Sequence, residues 1–516
     1  MLSLPRVAAI GFLHLKLLSI YQLKQTHAQL IVNGLNSPSL AAKLIKQYCT
    51  LLGQQKNYCN ARLVFEHFDK PNLFLFNTLI RCSPPKESIL VFSRWASRGD
   101  LVFDDFTYIF VLGACARSPS VPTLWAGRQI HSWIMKGGTI SNTMVQTTLI
   151  HSYASNKDVG SARRVFDEMV DRNNVTWNAM ITGYCSQRGS AHDALVLFRD
   201  MLDNVYGAKP TDTTIVSVLS AASQFGVLET GTCMHGYIEK TNWVPEIDVF
   251  IGTSLIDMYS KCGCLNSALS VFSRMKEKNI LTWTAMATGL AIHGKGKEAI
   301  KLLDSMGASG LKPNATSFTS LLLACCHSGL VEEGLCLFSS MSKFNVTPQM
   351  QHYGCIVDLL SRNGLLKEAY EFIMGMPVEP DAILWRSLLS ATRIHGDVAM
   401  GEKVGKLLLR VHPERSSLNG TSEDYVALSN IYASAGKWEG VETVREEMKV
   451  KGIENKFGCS SIQTTTALMF QNMLRDLHQK CTKEMDEYVG CMYYNTNEFD
   501  LCRKEQEAFE KACPLE

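Results

Sequence analysis

Between residues 173 and 201 apolar side chains fall at helical spacing twice in succession. Trp177, Met180, Ile181 and Tyr184 follow i, i+3, i+4, i+7, the stripe of one helix face. After the breaker-rich SQRGS at 186–190, Ala194, Leu197, Phe198 and Met201 repeat that spacing. The phrase NNVTWNAMITGY (173–184) then returns as NILTWTAMATGL (279–290), where Trp283, Met286, Ala287 and Leu290 form one stripe and Ala299, Leu302, Leu303 and Met306 the next. Each pair of stripes predicts an αα-hairpin with one apolar side per helix. Such a hairpin is too small to bury its own faces, so it must stack on its neighbours. The expected fold class is therefore all-α, an array of helical hairpins.

Punctuation sets the period. Pro210, Pro313, Pro348 and Pro380 each read as the exit from a hairpin, since proline lacks the backbone N–H that continues a helix. Pro313 and Pro348 stand 35 residues apart. Landmarks divide the chain into units at 143–173, 174–211, 212–248, 249–279, 280–314, 315–349 and 350–381, so the repeat varies in length, whereas a tetratricopeptide array keeps close to 34 residues. Three kinds of phrase alternate: TSLIDMYSKCG at 253–263, SVLSAAS (217–223) with LLLACCHSG (321–329), and TWNAMITGY at 176–184.

This alternation resembles the pentatricopeptide repeat family of land plants, in its PLS subclass, over residues 25–381. Residues 382–462, with AILWRSLLSATRIHGDVAMGEKVGKLLLRVHPE and then YVALSNIYASAGKWEGVETVREEMKVKGIENKFGCSSI, look like the two E-type motifs that follow such arrays. The resemblance implies a right-handed α-solenoid that binds single-stranded RNA of an organelle, one base per repeat. It also implies that the E-type region docks editing-factor proteins, and that a deaminase recruited in trans converts C to U.

Within the repeated phrase Asn178 becomes Thr284 while its surroundings hold. In the family, residue five and the last residue of a unit read a base by hydrogen bonding. Carried over, Asn77 with Asp104 resembles a uridine reader. Thr147 with Asn173, Thr253 with Asn279 and Thr284 with Asn314 resemble adenosine readers. Asn178 with Thr211 points toward a pyrimidine. Ile109/Asn142, Val216/Asp248, Thr319/Gln349 and Gly354/Asp381 lie outside that code or add little to it. The implied target is U-n-A-Y-n-A-A-n-n, 5′ to 3′. The plain alternative for each pair is helix capping, for which Asn and Thr are common.

Charge and cysteine change the picture at the two ends. The net charge of +2 divides into −4 for residues 464–516 and +6 for the rest, too mild for binding by charge alone. No acidic residue precedes Glu66, while Arg6, Lys16 and Lys24 do. Residues 1–24 therefore read as an organelle-targeting segment, with mitochondrion expected ahead of plastid. No run of eighteen apolar residues predicts a membrane span.

No catalytic apparatus is expected. The H-x-E and C-x-x-C of a zinc deaminase do not occur after Ile462. Cys262 and Cys264, the adjacent Cys325 and Cys326, and His131 and His235 lack the spacing of a metal site and read as parts of the repeat framework. No cofactor is implied.

Of the 17 cysteines, four crowd into the last 36 residues. Two helices cannot pair these cysteines internally, because ten helical residues span about 15 Å. Antiparallel helices joined by MYYNTNEFDL align Cys481 with Cys513 and Cys491 with Cys502, beyond a junction at 463–473. Residues 474–516 resemble a CHCH domain, in particular the C-terminal part of the plant mitochondrial complex I alpha subcomplex subunit 8. That resemblance implies an oxidised twin-cysteine hairpin and contact with complex I. A composite gene or a mispredicted gene model reconciles the two resemblances most simply, and a tether to the respiratory complex is the other reading. Two further functions stay open: a protein-binding helical-repeat scaffold, and a complex I accessory or assembly factor acting through the tail.

Overall fold

The computed structural model describes residues 20–453, apart from 33–36, 51–53, 68–70, 100, 139–140, 204–206, 242 and 412–420. Of the expected targeting segment 1–24, residues 1–19 lie outside the described residues and residues 20–24 open helix Ile20–Val32; the expected twin-cysteine hairpin lies outside them altogether. Among the described residues there are 25 α-helices, one short 3-10 helix and no strand. The expected class holds: α-helical hairpins stacked as in a solenoid.

The chain divides into two units, 1–221 and 222–516, with the boundary inside helix Asp212–Phe225. The first unit includes the hairpins Leu73–Cys82 with Pro85–Arg98, Asp105–Arg117 with Val121–Gly137, Thr143–Ser155 with Val159–Glu168, and Asn174–Cys185 with Ala191–Leu202. The second includes Val249–Lys261 with Leu265–Arg274, Ile280–Ile292 with Gly296–Ala308, Ala315–Ser328 with Val331–Ser340, and Met350–Arg362 with Leu366–Met374. Ala382–His395 with Val398–Val411 and Thr421–Ser434 with Trp438–Val450 complete it. Within each unit the first helix of a hairpin packs against the first helix of the next.

The stripes are the core. Trp177, Met180, Ile181, Tyr184, Ala194, Leu197, Phe198 and Met201 are all buried. Phe166 of the preceding hairpin meets Trp177 edge to face, and Phe272 meets Trp283 in the same way, each with ring centroids 5.0 Å apart. The glycine of the repeated phrase marks where neighbouring first helices approach most closely. A Cβ on Gly183 would stand 2.8 Å from Cβ of Ala154, and one on Gly289 would stand 2.3 Å from Oγ of Ser260.

The prolines play a different part from the one expected. Pro313 immediately precedes the N-cap Asn314, and Pro380 precedes the N-cap Asp381. They lead into the next hairpin, where a missing N–H costs nothing, and the preceding helices have already ended at Ala308 and Met374. His131 and His235 are framework residues, as expected. Their Nδ1 atoms share hydrogen bonds with Tyr153 (3.0 Å) and Tyr259 (2.8 Å) across to the next hairpin. His27 and Tyr48 repeat the arrangement.

Candidate nucleic-acid interface

The residues singled out as reading pairs are brought together in all five cases. In the first unit Nδ2 of Asn77 donates to Oδ1 of Asp104 (3.0 Å), and Nδ2 of Asn178 donates to Oγ1 of Thr211 (3.0 Å). The other three pairs meet through an intermediary that sequence reasoning did not identify. Oγ1 of Thr147 lies 2.8 Å from Oγ1 of Thr176, whose hydroxyl and backbone N–H both donate to Oδ1 of Asn173 at 3.0 Å. In the second unit Oγ1 of Thr253 lies 2.7 Å from Oγ1 of Thr282, which donates to Oδ1 of Asn279 at 3.1 Å. Oγ1 of Thr284 lies 3.0 Å from Oγ of Ser317, which donates to Oδ1 of Asn314 at 3.0 Å.

The intermediary recurs at the third residue of a first helix. Thr107 and Thr214 occupy it for the two directly bonded pairs, donating to Oδ1 of Asn77 (2.7 Å) and Oδ1 of Asn178 (2.6 Å). All five hydroxyl residues are buried. Where residue five is apolar or absent, so is the third residue: Ile109 is matched by Val145, and Gly354 stands opposite Leu384, whose Cδ2 would lie 3.7 Å from an added Cβ. The hint was present in the sequence as a Thr or Ser three places after each last residue, but that spacing reads as a capping box.

Capping and pairing turn out to be one arrangement. Asp104, Asn173, Asn279 and Asn314 are each the N-cap of the following helix, accepting from its third backbone N–H. Oδ1 of Asp104 accepts from the backbone N–H of Thr107 (2.8 Å) and from Nδ2 of Asn77 (3.0 Å). Burial would raise the Asp104 carboxyl, but hydrogen bonds from Thr107 and Asn77 outweigh it and hold it below the ordinary carboxylate range. The site thus offers an ionised acceptor beside the second amide hydrogen of Asn77.

A second row was missed because the amphipathic pattern assigns apolar residues to the core. In seven first helices the second residue is apolar yet exposed: Phe74, Phe106, Met144 and Val175 in the first unit, and Phe250, Leu281 and Ile383 in the second. Phe74 is 59% exposed and Val175 64%, one turn from Asn77 and Asn178. Such side chains offer apolar surface next to hydrogen-bonding groups, and the three phenylalanines offer a flat ring of the kind on which an unstacked base rests.

At Arg386, residue five of helix Ala382–His395, the arrangement closes. Nε and Nη2 of Arg386 donate to Oδ1 and Oδ2 of Asp424 at 2.5 and 2.9 Å, a bidentate pair that uses both carboxylate oxygens. Asp424 is buried and precedes Tyr425 as Thr176 precedes Trp177.

Comparison with known proteins agrees with this layout. The PPR repeat model matches residues 147–174, 175–204, 253–280, 316–346 and 352–379, and a related PPR repeat family model matches 278–327. The E motif model matches 395–463, and the CHCH domain model matches 481–516. Pentatricopeptide repeat-containing protein At3g18970 of Arabidopsis thaliana is 52% identical over 453 residues, covering 86% of this chain and 96% of the relative. The Arabidopsis thaliana relatives At3g47530 and At1g59720, the latter named chloroplastic/mitochondrial, are each 36% identical over 89% of this chain. Among solved structures, pentatricopeptide repeat protein PPR10 in complex with an 18-nt psaJ RNA element superposes with a TM-score of 0.62 at 16% identity, over 84% of this chain. The chain spans 64% of that structure's length, and the likeness is one of fold. The chain belongs to the pentatricopeptide repeat family, to the kind that carries E motifs, with a CHCH match at residues 481–516.

Proposed function

We propose that this protein binds a specific single-stranded RNA in an organelle and guides its processing, with C-to-U editing as the outcome and catalysis supplied by partners. The observation that carries the RNA-binding step is the set of five polar clusters, each with an exposed apolar residue one turn away, repeating along the chain. Asn77 and Asp104 together offer an amide donor and an ionised acceptor, the complement of the O4 and N3–H of uracil. A PPR protein whose fold matches this one is in complex with RNA. The E motif match supports partner docking through residues 382–462, and relatives named chloroplastic or mitochondrial support an organellar address, with mitochondrion favoured by the acid-poor start.

The test is direct binding of the full chain to oligonucleotides carrying U-n-A-Y-n-A-A-n-n, against the same sequence with its three adenosines changed to uridine. Tighter binding to the first is expected, by about tenfold or more for three changed bases. Equal binding would remove the RNA reading and favour a protein scaffold.

One letter can be rewritten. Thr284→Asn with Asn314→Asp builds the Asn77–Asp104 arrangement on the hairpin of helix Ile280–Ile292, and keeps a cap residue at 314. Preference at the seventh base is expected to move from A to U, read by competition between oligonucleotides that differ there alone. An unmoved preference would withdraw the assignment of that hairpin.

A further inference from the structure

We infer that the buried hydroxyl at the third place of a first helix, in Thr176 and Thr282 above all, is a specificity-determining positioning residue that sets the direction of the protons in the preceding reading pair. This rests on the function proposed above and adds to it a residue that touches no base.

The argument is a count of protons. A threonine hydroxyl has one hydrogen to give and lone pairs to receive. Oδ1 of Asn173 only accepts, and the hydroxyl of Thr176 lies 3.0 Å from it, donating. The Thr176 oxygen is then an acceptor toward Thr147, 2.8 Å away, and Thr147 must turn its own proton inward. What faces outward is fixed by this relay: lone pairs on Thr147 and amide hydrogens on Asn173. Adenine presents an amino group next to the ring acceptor N1, which these groups match. Guanine presents a carbonyl where adenine has its amino group, and that carbonyl meets the lone pairs of Thr147. Thr253, Thr282 and Asn279 repeat the relay with distances of 2.7 and 3.1 Å.

Without the relay hydroxyl, the proton of residue five is free to rotate. Thr147 would then donate or accept with equal ease, and guanine would be tolerated. The hydroxyl therefore matters for the choice between the two purines, and little for grip.

Thr176→Val removes the relay while keeping the branched shape and the backbone N–H that caps on Asn173. The experiment measures binding of the full chain to U-n-A-Y-n-A-A-n-n and to versions with guanosine at the third or the sixth base. The wild-type chain is expected to favour adenosine at both. In Thr176→Val the preference at the third base falls by about tenfold, as one oriented hydrogen bond is worth, and the sixth is unchanged. Thr282→Val does the reverse, and Thr176→Ser restores the third. Should the valine chain fail to stay folded, judged by its circular dichroism at the assay temperature, Thr176→Ala carries the same comparison. A variant that binds every oligonucleotide less tightly in the same proportion, or keeps both preferences, overturns the relay. A wild-type chain with no adenosine preference overturns the reading itself.

Discussion

Lowering the pH from 7 to 5 is expected to cost the hairpins around His235 about 2 kcal/mol of stability through that one side chain. His235 is fully buried between helices Leu228–Lys240 and Val249–Lys261, and burial, with the nearby Arg274 charge, pushes its pKa from 6.5 down to about 4. The folded pKa lies below the unfolded one, so the neutral ring favours the folded form. Its stabilisation is present in full above pH 6.5, declines as the unfolded chain gains protons below that, and levels off near pH 4. Glu246 opposes the shift without cancelling it. Thermal unfolding followed at pH 7 and pH 5 should show a larger fall in the native chain than in His235→Gln, whose amide keeps a polar partner for Tyr259. Equal falls would mean that the ring is already charged in the fold.

The second large effect belongs to Arg386. Replacing it by methionine leaves the buried Asp424 carboxylate without its bidentate partner, at an expected cost of about 2–3 kcal/mol, moderated by the partial exposure of the guanidinium. Arg386→Met together with Asp424→Leu should recover most of the loss, since two apolar side chains need no partner. The comparison is made by hydrogen exchange in helices Ala382–His395 and Thr421–Ser434, because a repeat array opens locally rather than all at once. A single variant as stable as the native chain would show that the pair contributes nothing net. The same experiment bears on function: Arg386 engages both carboxylate oxygens of Asp424, so this place is read as structural, and binding of the nine-letter RNA is expected to be unchanged in the double variant.

The hairpins were legible because their energetics are local and periodic. Trp177, Met180, Ile181 and Tyr184 had only one face to share, and all four are buried. Family resemblance singled out pairs that the fold does bring together, and the contacts between Asn77 and Asp104 or Asn178 and Thr211 are direct. Thr176 was not, because its partner Thr147 lies 29 residues back and the nearer explanation, that Asn173 caps the helix by accepting from the Thr176 N–H, is also true. Val175 and Leu281 were hidden for another reason. An apolar residue on an amphipathic helix reads as core, and only its exposure in the fold says otherwise. The capping alternative did not compete with the pairing: a single oxygen of Asn173 serves both.

That double use of the cap limits the alphabet in which this protein is written. The last residue of a reading pair must start the next helix, and few side chains do so well; replacing such a cap by alanine costs about 1 kcal/mol. Asp, Asn, Ser and Thr pass that filter, so under the proposed function exchanges among them would change what is recognised while the chain stays folded. An apolar letter would loosen the neighbouring hairpin before it altered any preference. Drift in the target transcript can therefore be followed by one or two exchanges of small polar residues, with no repair elsewhere, which makes such an array easy to retarget by selection or by design.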